Sequence, residues 1–259
     1  MAIYNAPLQD MRFILSDVFN ADQFWQSIPQ LNHVDMGTVD AILEEMAKFS
    51  QNVLLPLNRT GDEEGAKIEG NVVTTPAGFK EAFRQYAEGG WVGLGASEEW
   101  GGQGMPKMVT MLAEEMIFAV NPSFTLYSLL SVGACLALAS YASQAQKETY
   151  LPRIYSGEWS GTMCLTEPHA GTDLGIIKTK AVPNGDGSYA ISGTKIFITG
   201  GEHDLTSNLI HLVLAKTPDA PEGSKGISLF IVPKFMVNAD GTLGERNAVA
   251  AGSIEHTMG

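Results

Sequence analysis

Cysteine is scarce in this sequence. Cys135 and Cys164 are the two present, too few for the disulfide framework of a small secreted domain. Both stand in apolar surroundings, which predicts buried, reduced thiols. Positive charge is scarce as well: 16 Lys plus Arg face 29 Asp plus Glu, a formal net charge of -13. No basic cluster is available to displace counterions from a phosphate backbone or to attract an anionic membrane surface. General nucleic-acid binding and polybasic lipid binding are therefore excluded. The five histidines are scattered, and no His, Cys or carboxylate spacing matches a structural zinc site. There is no Walker A sequence. Gly93-Leu94-Gly95 begins like a dinucleotide fingerprint, but Glu98 stands where its last glycine belongs and no strand pattern precedes it. Asp10 and Arg12 fall where a signal peptide needs an apolar core. One run, Phe124 to Ala142, is uncharged and long enough to cross a membrane. Its Ser128, Ser131 and Ser140, with no flanking basic cluster, predict a buried core helix instead. The expectation is a cytoplasmic protein without a transmembrane segment.

What is present is globular: 44% hydrophobic and 17% charged residues, with ample chain for one large domain or two ordinary ones. Two textures divide it. Up to about Ser160 the pattern is helical. Thr38 can cap a helix with Val39, Ile42, Leu43, Met46 and Phe49 on one face, running toward Pro56. Thr75-Pro76 reads as an N-cap and first-turn proline of a helix ending at Gly89-Gly90. Pro106 can open another, the uncharged run is a fourth, and Ser143 with Gln146 forms a capping box for a fifth. After Gly157 the signals are those of strands. Met163 to Leu165, Ile177 to Val182, Tyr189 to Ile191, Ile196 to Ile198, Leu209 to Ala215 and Ile227 to Val232 are candidates. Asn184-Gly185-Asp186-Gly187 is a turn between two of them. Helices first and strands second argue for an α+β fold, an all-helical N-terminal domain followed by a central antiparallel β domain. The expected division is residues 1–37 as an extension wrapping the helices, 38–159 as the helical domain and 160–259 as the β domain.

Two polar loops could carry chemistry. Leu165-Thr166-Glu167-Pro168-His169-Ala170-Gly171-Thr172-Asp173 follows a strand directly, and its small residues let backbone amides turn toward an anion. An ordinary solvent loop is the alternative. Phe197-Ile198-Thr199-Gly200-Gly201 puts an aromatic and a hydroxyl at a strand end, before glycines that permit close approach of a flat ligand. His169 beside Glu167 and His203 beside Asp204 are conceivable dyads, although sequence neighbours rarely face each other correctly.

The pieces together resemble a known family. Met163-Cys-Leu-Thr-Glu-Pro-His-Ala-Gly-Thr-Asp173 resembles the acyl-CoA dehydrogenase signature, and Gly193-Thr-Lys-Ile-Phe-Ile-Thr-Gly200 its usual companion. Gln146 to Pro152 with Ser156-Gly157-Glu158, Glu98 to Gly104, Lys225 to Lys234 and Met258-Gly259 resemble further segments in order. The N-terminal Ala2 to Pro7 and Asp10 to Phe13, and Gly201 to Thr206, are similar to the larger bacterial branch, which includes long-chain and 3-methylmercaptopropionyl-CoA enzymes.

The resemblance implies FAD between the β domain and a C-terminal helical domain, with its pyrophosphate near the signature loop. By matching positions Met163, Leu165 and Thr166 would meet the flavin. Thr172, often serine in the family, would sit near the FAD phosphates and the CoA moiety of the substrate. Phe197, often tryptophan, would pack beside the isoalloxazine, and Thr199 would hydrogen-bond near flavin N5. The implied reaction is α,β-dehydrogenation of an acyl-CoA to the 2-enoyl-CoA, with electrons passed to an electron-transferring flavoprotein, in a homodimer or higher homo-oligomer. The family's catalytic glutamate lies in the C-terminal helical domain, which has no counterpart before Gly259, so no residue is assigned as the base. Thr257 stands where the branch often has lysine. A non-catalytic binding or scaffold module and an acyl-CoA oxidase are the alternative readings.

Overall fold

The computed structural model describes residues 3–255 of the chain; Thr257 and Met258-Gly259 lie outside the described residues. Helices come first. α1 (Leu8–Phe13) and α2 (Ala21–Gln26) belong to the N-terminal extension. With the π turn Ile14–Val18 between them, they bury Met11, Leu15 and Trp25 in the same apolar cluster as Val39, Leu43 and Met46 of α3 (Met36–Phe49), so the extension wraps the helical layer as its apolar positions require; α4 spans Leu55–Glu64. α3 begins two residues before Thr38. Asp35, extended, accepts from the Thr38 amide at 2.9 Å and from its hydroxyl at 2.8 Å, so the aspartate is the cap. A π turn over Ser50–Leu54 joins α3 to α4.

A small antiparallel hairpin follows, β1 (Lys67–Glu69) with β2 (Val72–Thr74). α5 (Phe79–Glu88) starts later than Thr75-Pro76 suggests, behind left-handed Gly78. Thr75 is spent elsewhere: its amide and hydroxyl both donate to Asp204, at 3.0 and 2.8 Å, pinning the helical layer to the β region. α6 (Lys107–Val120) follows Pro106, and α7 (Pro122–Tyr141) is the uncharged run. By length and composition α7 could cross a membrane. In the fold it buries Phe124, Ala134, Cys135 and Leu138 and packs on α6, α8 and β3, while Leu126 and Leu136 stay exposed. The buried-helix expectation therefore holds for one face. α8 (Gln144–Tyr155) opens with the complete Ser143–Gln146 capping box.

Among the described residues no α-helix follows Tyr155. β3 (Trp159–Cys164), β4 (Lys180–Pro183), β5 (Tyr189–Ser192), β6 (Asn208–Lys216) and β7 (Ile227–Pro233) form one sheet, and β8 (Phe235–Val237) pairs with β9 (Leu243–Arg246). The sheet is mixed. β4–β5 and β6–β7 are antiparallel as expected, but β3 and β4 both run parallel to β6. A parallel pair needs a long crossover, and residues 165–207 provide it. Gly161 faces α7 so closely that a Cβ there would lie 2.5 Å from Ala134 Cβ, which seats the sheet on the helices.

Ile196 to Ile198 do not form a strand, and Ile177 to Thr179 precede β4 without pairing in it. Both segments are held by the signature loop instead, Lys178 and Thr179 by the Glu167 carboxylate and Ile196 by the Thr166 carbonyl.

Candidate functional site

β3 ends at Cys164, and the chain turns outward through Leu165 and Thr166. The companion segment lies alongside: the Ile196 amide donates to Thr166 O at 2.9 Å. One buried carboxylate fixes this pairing. Glu167, 3% exposed, accepts from the Lys178 amide at 2.7 Å, from the Thr179 amide at 3.0 Å, from the Thr179 hydroxyl, and from Lys195 Nζ at 2.9 Å. Lys195 Nζ also donates to Leu165 O at 2.9 Å. Lys195 is thus a tie between the signature strand end and the companion segment. Burial alone would raise the Glu167 pKa; its hydrogen-bond donors overcome that and hold it down at about 2. The sequence did not mark Glu167 or Lys195 as organisers. A glutamate between a strand end and a proline, with a lysine beginning the second motif, was the available signal.

With those ties in place, Met163, Leu165 and Thr166 stand on one segment and Phe197 and Thr199 on the neighbouring one. Phe197 has φ +56°, a left-handed conformation that a bulky residue rarely adopts, and its side chain is 59% exposed. Such strain at an exposed aromatic is found where a surrounding structure holds a side chain for a purpose. Among the described residues, the amides and hydroxyls of Thr166 and Thr199 donate to nothing. The end of β3 and the neighbouring companion segment therefore present unused donors beside an exposed ring, a wall suited to a flat, hydrogen-bonding ligand. Thr172 lies farther along the loop, exposed and likewise without a donor contact to a described residue.

Neither histidine forms a dyad suited to base catalysis. His169 Nε2 lies 3.2 Å from Ile176 O and 3.6 Å from a Glu167 carboxylate already committed to other donors. His203 Nδ1 accepts from the Leu205 amide at 3.2 Å, and Asp204 turns away to Thr75. His203 is buried with its ring edge-on to Tyr127 at 5.1 Å. Tyr127 in turn abuts the Gly200 turn, where a Cβ would lie 3.4 Å from its ring. Glu202 pairs with Lys234 and, at 3.7 Å, with Arg246, anchoring the far side of the companion segment. The Gly101–Gly104 stretch is a loop before α6, its Gly104 amide bonded to Ala96 O at 2.8 Å. Among the described residues no cluster could hold a metal ion. Cys135 and Cys164 are free and buried, and burial raises both thiol pKa values, that of Cys135 to about 12.

His211 on β6 meets the Thr162 hydroxyl at 2.7 Å. Burial, with the charge of Lys234, lowers the pKa of both His203 and His211 to about 4. A histidine kept neutral by folding contributes stability above its unfolded pKa of about 6.5 and loses it as pH falls through the folded value. Unfolding midpoints in urea are expected to hold near pH 7 and to fall between about pH 6.5 and 4, and His211→Gln should flatten that fall. An unchanged pH slope in the variant would contradict the assignment.

Residues 38–158 match the family described as acyl-CoA dehydrogenase, N-terminal domain, and residues 162–255 match acyl-CoA dehydrogenase, middle domain. A 3-methylmercaptopropionyl-CoA dehydrogenase of Ruegeria pomeroyi is 44% identical over 256 residues, which are 99% of this chain and 43% of that protein. A butyryl-CoA dehydrogenase of Syntrophomonas wolfei is 40% identical over 260 residues, 99% of this chain and 42% of its own length. The solved acyl-CoA dehydrogenase complexed with FAD from Bacillus anthracis superposes with a TM-score of 0.62 at 25% identity, covering 78% of this chain and 32% of that one. The chain thus spans less than half the length of these curated relatives. Two successive domain matches over most of its residues make the chain a member of the acyl-CoA dehydrogenase family, comprising its N-terminal helical and middle β domains.

Proposed function

We propose that this chain contributes the N-terminal and middle domains of an FAD-dependent acyl-CoA dehydrogenase that converts an acyl-CoA to the 2-enoyl-CoA. The observation that carries the reading is the wall made by the end of β3 and the companion segment tied to it, with free Thr166 and Thr199 donors beside left-handed, exposed Phe197. Met163, Leu165 and Thr166 would hold one edge of the flavin, Thr199 another edge near N5, and Phe197 would pack beside the ring. Thr172 would serve the FAD phosphates and the CoA moiety. Bound FAD supplies the hydride acceptor for the reaction. The role of this chain's residues is to bind and orient that ring and to exclude water from it. The domains divide at the short link between Tyr155 and Trp159. An electron-transferring flavoprotein as electron acceptor, a homodimer or larger assembly, and a cytoplasmic location complete the reading.

No carboxylate of the recognised loops is suited to remove the α-proton. Glu167 is committed to its four donors, and Glu98 and Glu99 lie in an exposed turn before the glycine loop. Residues 1–259 alone, given FAD, a panel of acyl-CoA thioesters and a dye acceptor, are expected to show background reduction only. Turnover that survives removal of every trace of a longer enzyme would contradict this.

Thr199→Val keeps the side-chain volume and removes the hydroxyl. One hydrogen bond is worth about 0.5–1.5 kcal/mol net, so FAD retention and the rate of flavin bleaching by substrate in the complete enzyme should drop a few-fold to about tenfold. The unfolding midpoint should stay put, because the Thr199 side chain is exposed. Wild-type bleaching and full FAD content in the variant would remove Thr199 from the site.

A further inference from the structure

Thr199 sits on a turn that its own sequence would leave loose. The Gly201 amide donates to Ile198 O at 3.0 Å, closing a turn with Thr199 second and Gly200 third. Gly200 has φ +61°, a value glycine takes readily at that place. Gly201 follows directly, and two glycines in succession leave the backbone its widest choice of conformations. A donor that must meet the edge of a flat ring from such a turn needs stops from outside it.

The next three residues supply them, each on a different element. Glu202, whose side chain is 5% exposed, pairs with Lys234 after β7 and with Arg246 at the end of β9. Its carboxylate also accepts from the His203 amide at 3.1 Å. Asp204 accepts from the amide and hydroxyl of Thr75, ahead of α5. Between them lies buried His203, crossed with the ring of Tyr127 on α7 at 5.1 Å and 85°. Its Nδ1 is occupied by the Leu205 amide, so the neutral ring carries its proton on Nε2. Gly200 rests against both rings: a Cβ there would lie 3.4 Å from Tyr127 Cδ1 and 3.9 Å from His203 Cδ2. Left-handed Phe197 stands two residues before Thr199, and such a conformation persists only where its surroundings over-determine it.

We propose that Tyr127 and His203 are positioning residues for the flavin: their crossed rings are the stop on which Gly200 rests, and they aim the Thr199 donor at the flavin edge. Tyr127 belongs to the helical domain, so a helix of that domain sets the direction of a donor in the β domain. The inference rests on the flavin reading above and deepens it.

Amide NMR and FAD titration of the 259-residue chain test it in Tyr127→Leu, Tyr127→Phe, His203→Asn and the Leu–Asn double variant. Leucine keeps apolar bulk and loses the flat ring, whereas phenylalanine keeps the ring. Asparagine puts an acceptor where Nδ1 stood, which preserves the Leu205 bond, and removes the rest of the imidazole. Without FAD, the Thr199 and Gly200 amide signals should move in Tyr127→Leu and in His203→Asn, while those of Leu165 and Thr166 stay in place. With FAD, the dissociation constant should rise about three- to tenfold in each, the loss of one oriented hydrogen bond. The double variant should lose little more than either single one, because both remove the same stop. Tyr127→Phe should restore wild-type affinity and wild-type Thr199 signals, which separates positioning from a general loss of stability. Wild-type FAD affinity in either folded variant, or a loss in Tyr127→Phe as large as in Tyr127→Leu, would overturn the proposal. Two failures are distinguishable: a wild-type chain whose Thr166 and Thr199 amides ignore FAD refutes the flavin reading and the positioning role with it, whereas wild-type shifts that the variants reproduce refute the positioning role alone.

Discussion

Glu167→Ala is expected to destabilise the chain by about 3–5 kcal/mol, the range seen when one member of a buried ion pair is removed. The loss is large because the carboxylate is the common acceptor of four donors. Without it, the Lys195 ammonium, whose side chain is 9% exposed, is left buried beside a single carbonyl. The Lys178 and Thr179 amides lose their partner as well, and an unpaired buried donor costs about 1–3 kcal/mol. Lys195→Met should cost less, since the carboxylate keeps three donors and methionine fills the stem's volume. The double variant should fall well short of the sum, because the second change removes the orphaned charge left by the first. Urea unfolding of the four proteins measures this; additive losses would show that the pair is not coupled. Acid gives an independent check. A carboxylate held at about 2 contributes stability above its unfolded pKa and loses it as pH falls toward that value. This component of acid unfolding should vanish in Glu167→Ala.

Gly193→Ala is the second large effect, about 1–3 kcal/mol or somewhat more, the cost of forcing atoms into a packed site. A Cβ at position 193 would lie 2.3 Å from Thr179 Oγ1 and 2.9 Å from Thr179 Cα. A backbone atom cannot swing aside as a side-chain tip can. The displaced residue is one that donates to Glu167 by both amide and hydroxyl, so the substitution should also loosen the signature loop. Protease cleavage within residues 168–173 is expected to accelerate in Gly193→Ala and in Glu167→Ala alike, and to change little further when the two are combined. A Gly193→Ala chain with wild-type stability and loop protection would show that the companion segment does not press on Thr179.

Where a local signal had no competitor, the sequence was a reliable guide. The Ser143–Gln146 box and the Asn184–Gly187 turn act within four residues, and both form. The apolar runs of β6 and β7 were legible because burial decides them. Thr38 and Thr75 do not cap their helices for one reason: each hydroxyl donates to a carboxylate instead. Asp35 is three residues away in sequence, whereas Asp204 is brought to Thr75 by the fold. The two false strands have a shared cause as well. Amides of Lys178 and Thr179 go to Glu167, and Phe197 turns left-handed, so neither segment is free to join a ladder. Parallel pairing of β3 and β4 with β6 was invisible because it joins residues far apart in the chain. Of the site, the motifs marked both loops, but what holds them together is tertiary: one glutamate and one lysine 28 residues apart.

The account stands or falls on whether the end of β3 and the companion segment tied to it are a flavin wall. Backbone amide NMR of the chain during titration with FAD tests this directly. The predicted result is saturable shifts at Leu165, Thr166, Phe197 and Thr199, weakened in Glu167→Ala and Lys195→Met, with the amides of α3 and α5 unmoved. Shifts confined to other surfaces, or none at these four residues at saturating FAD, would contradict it.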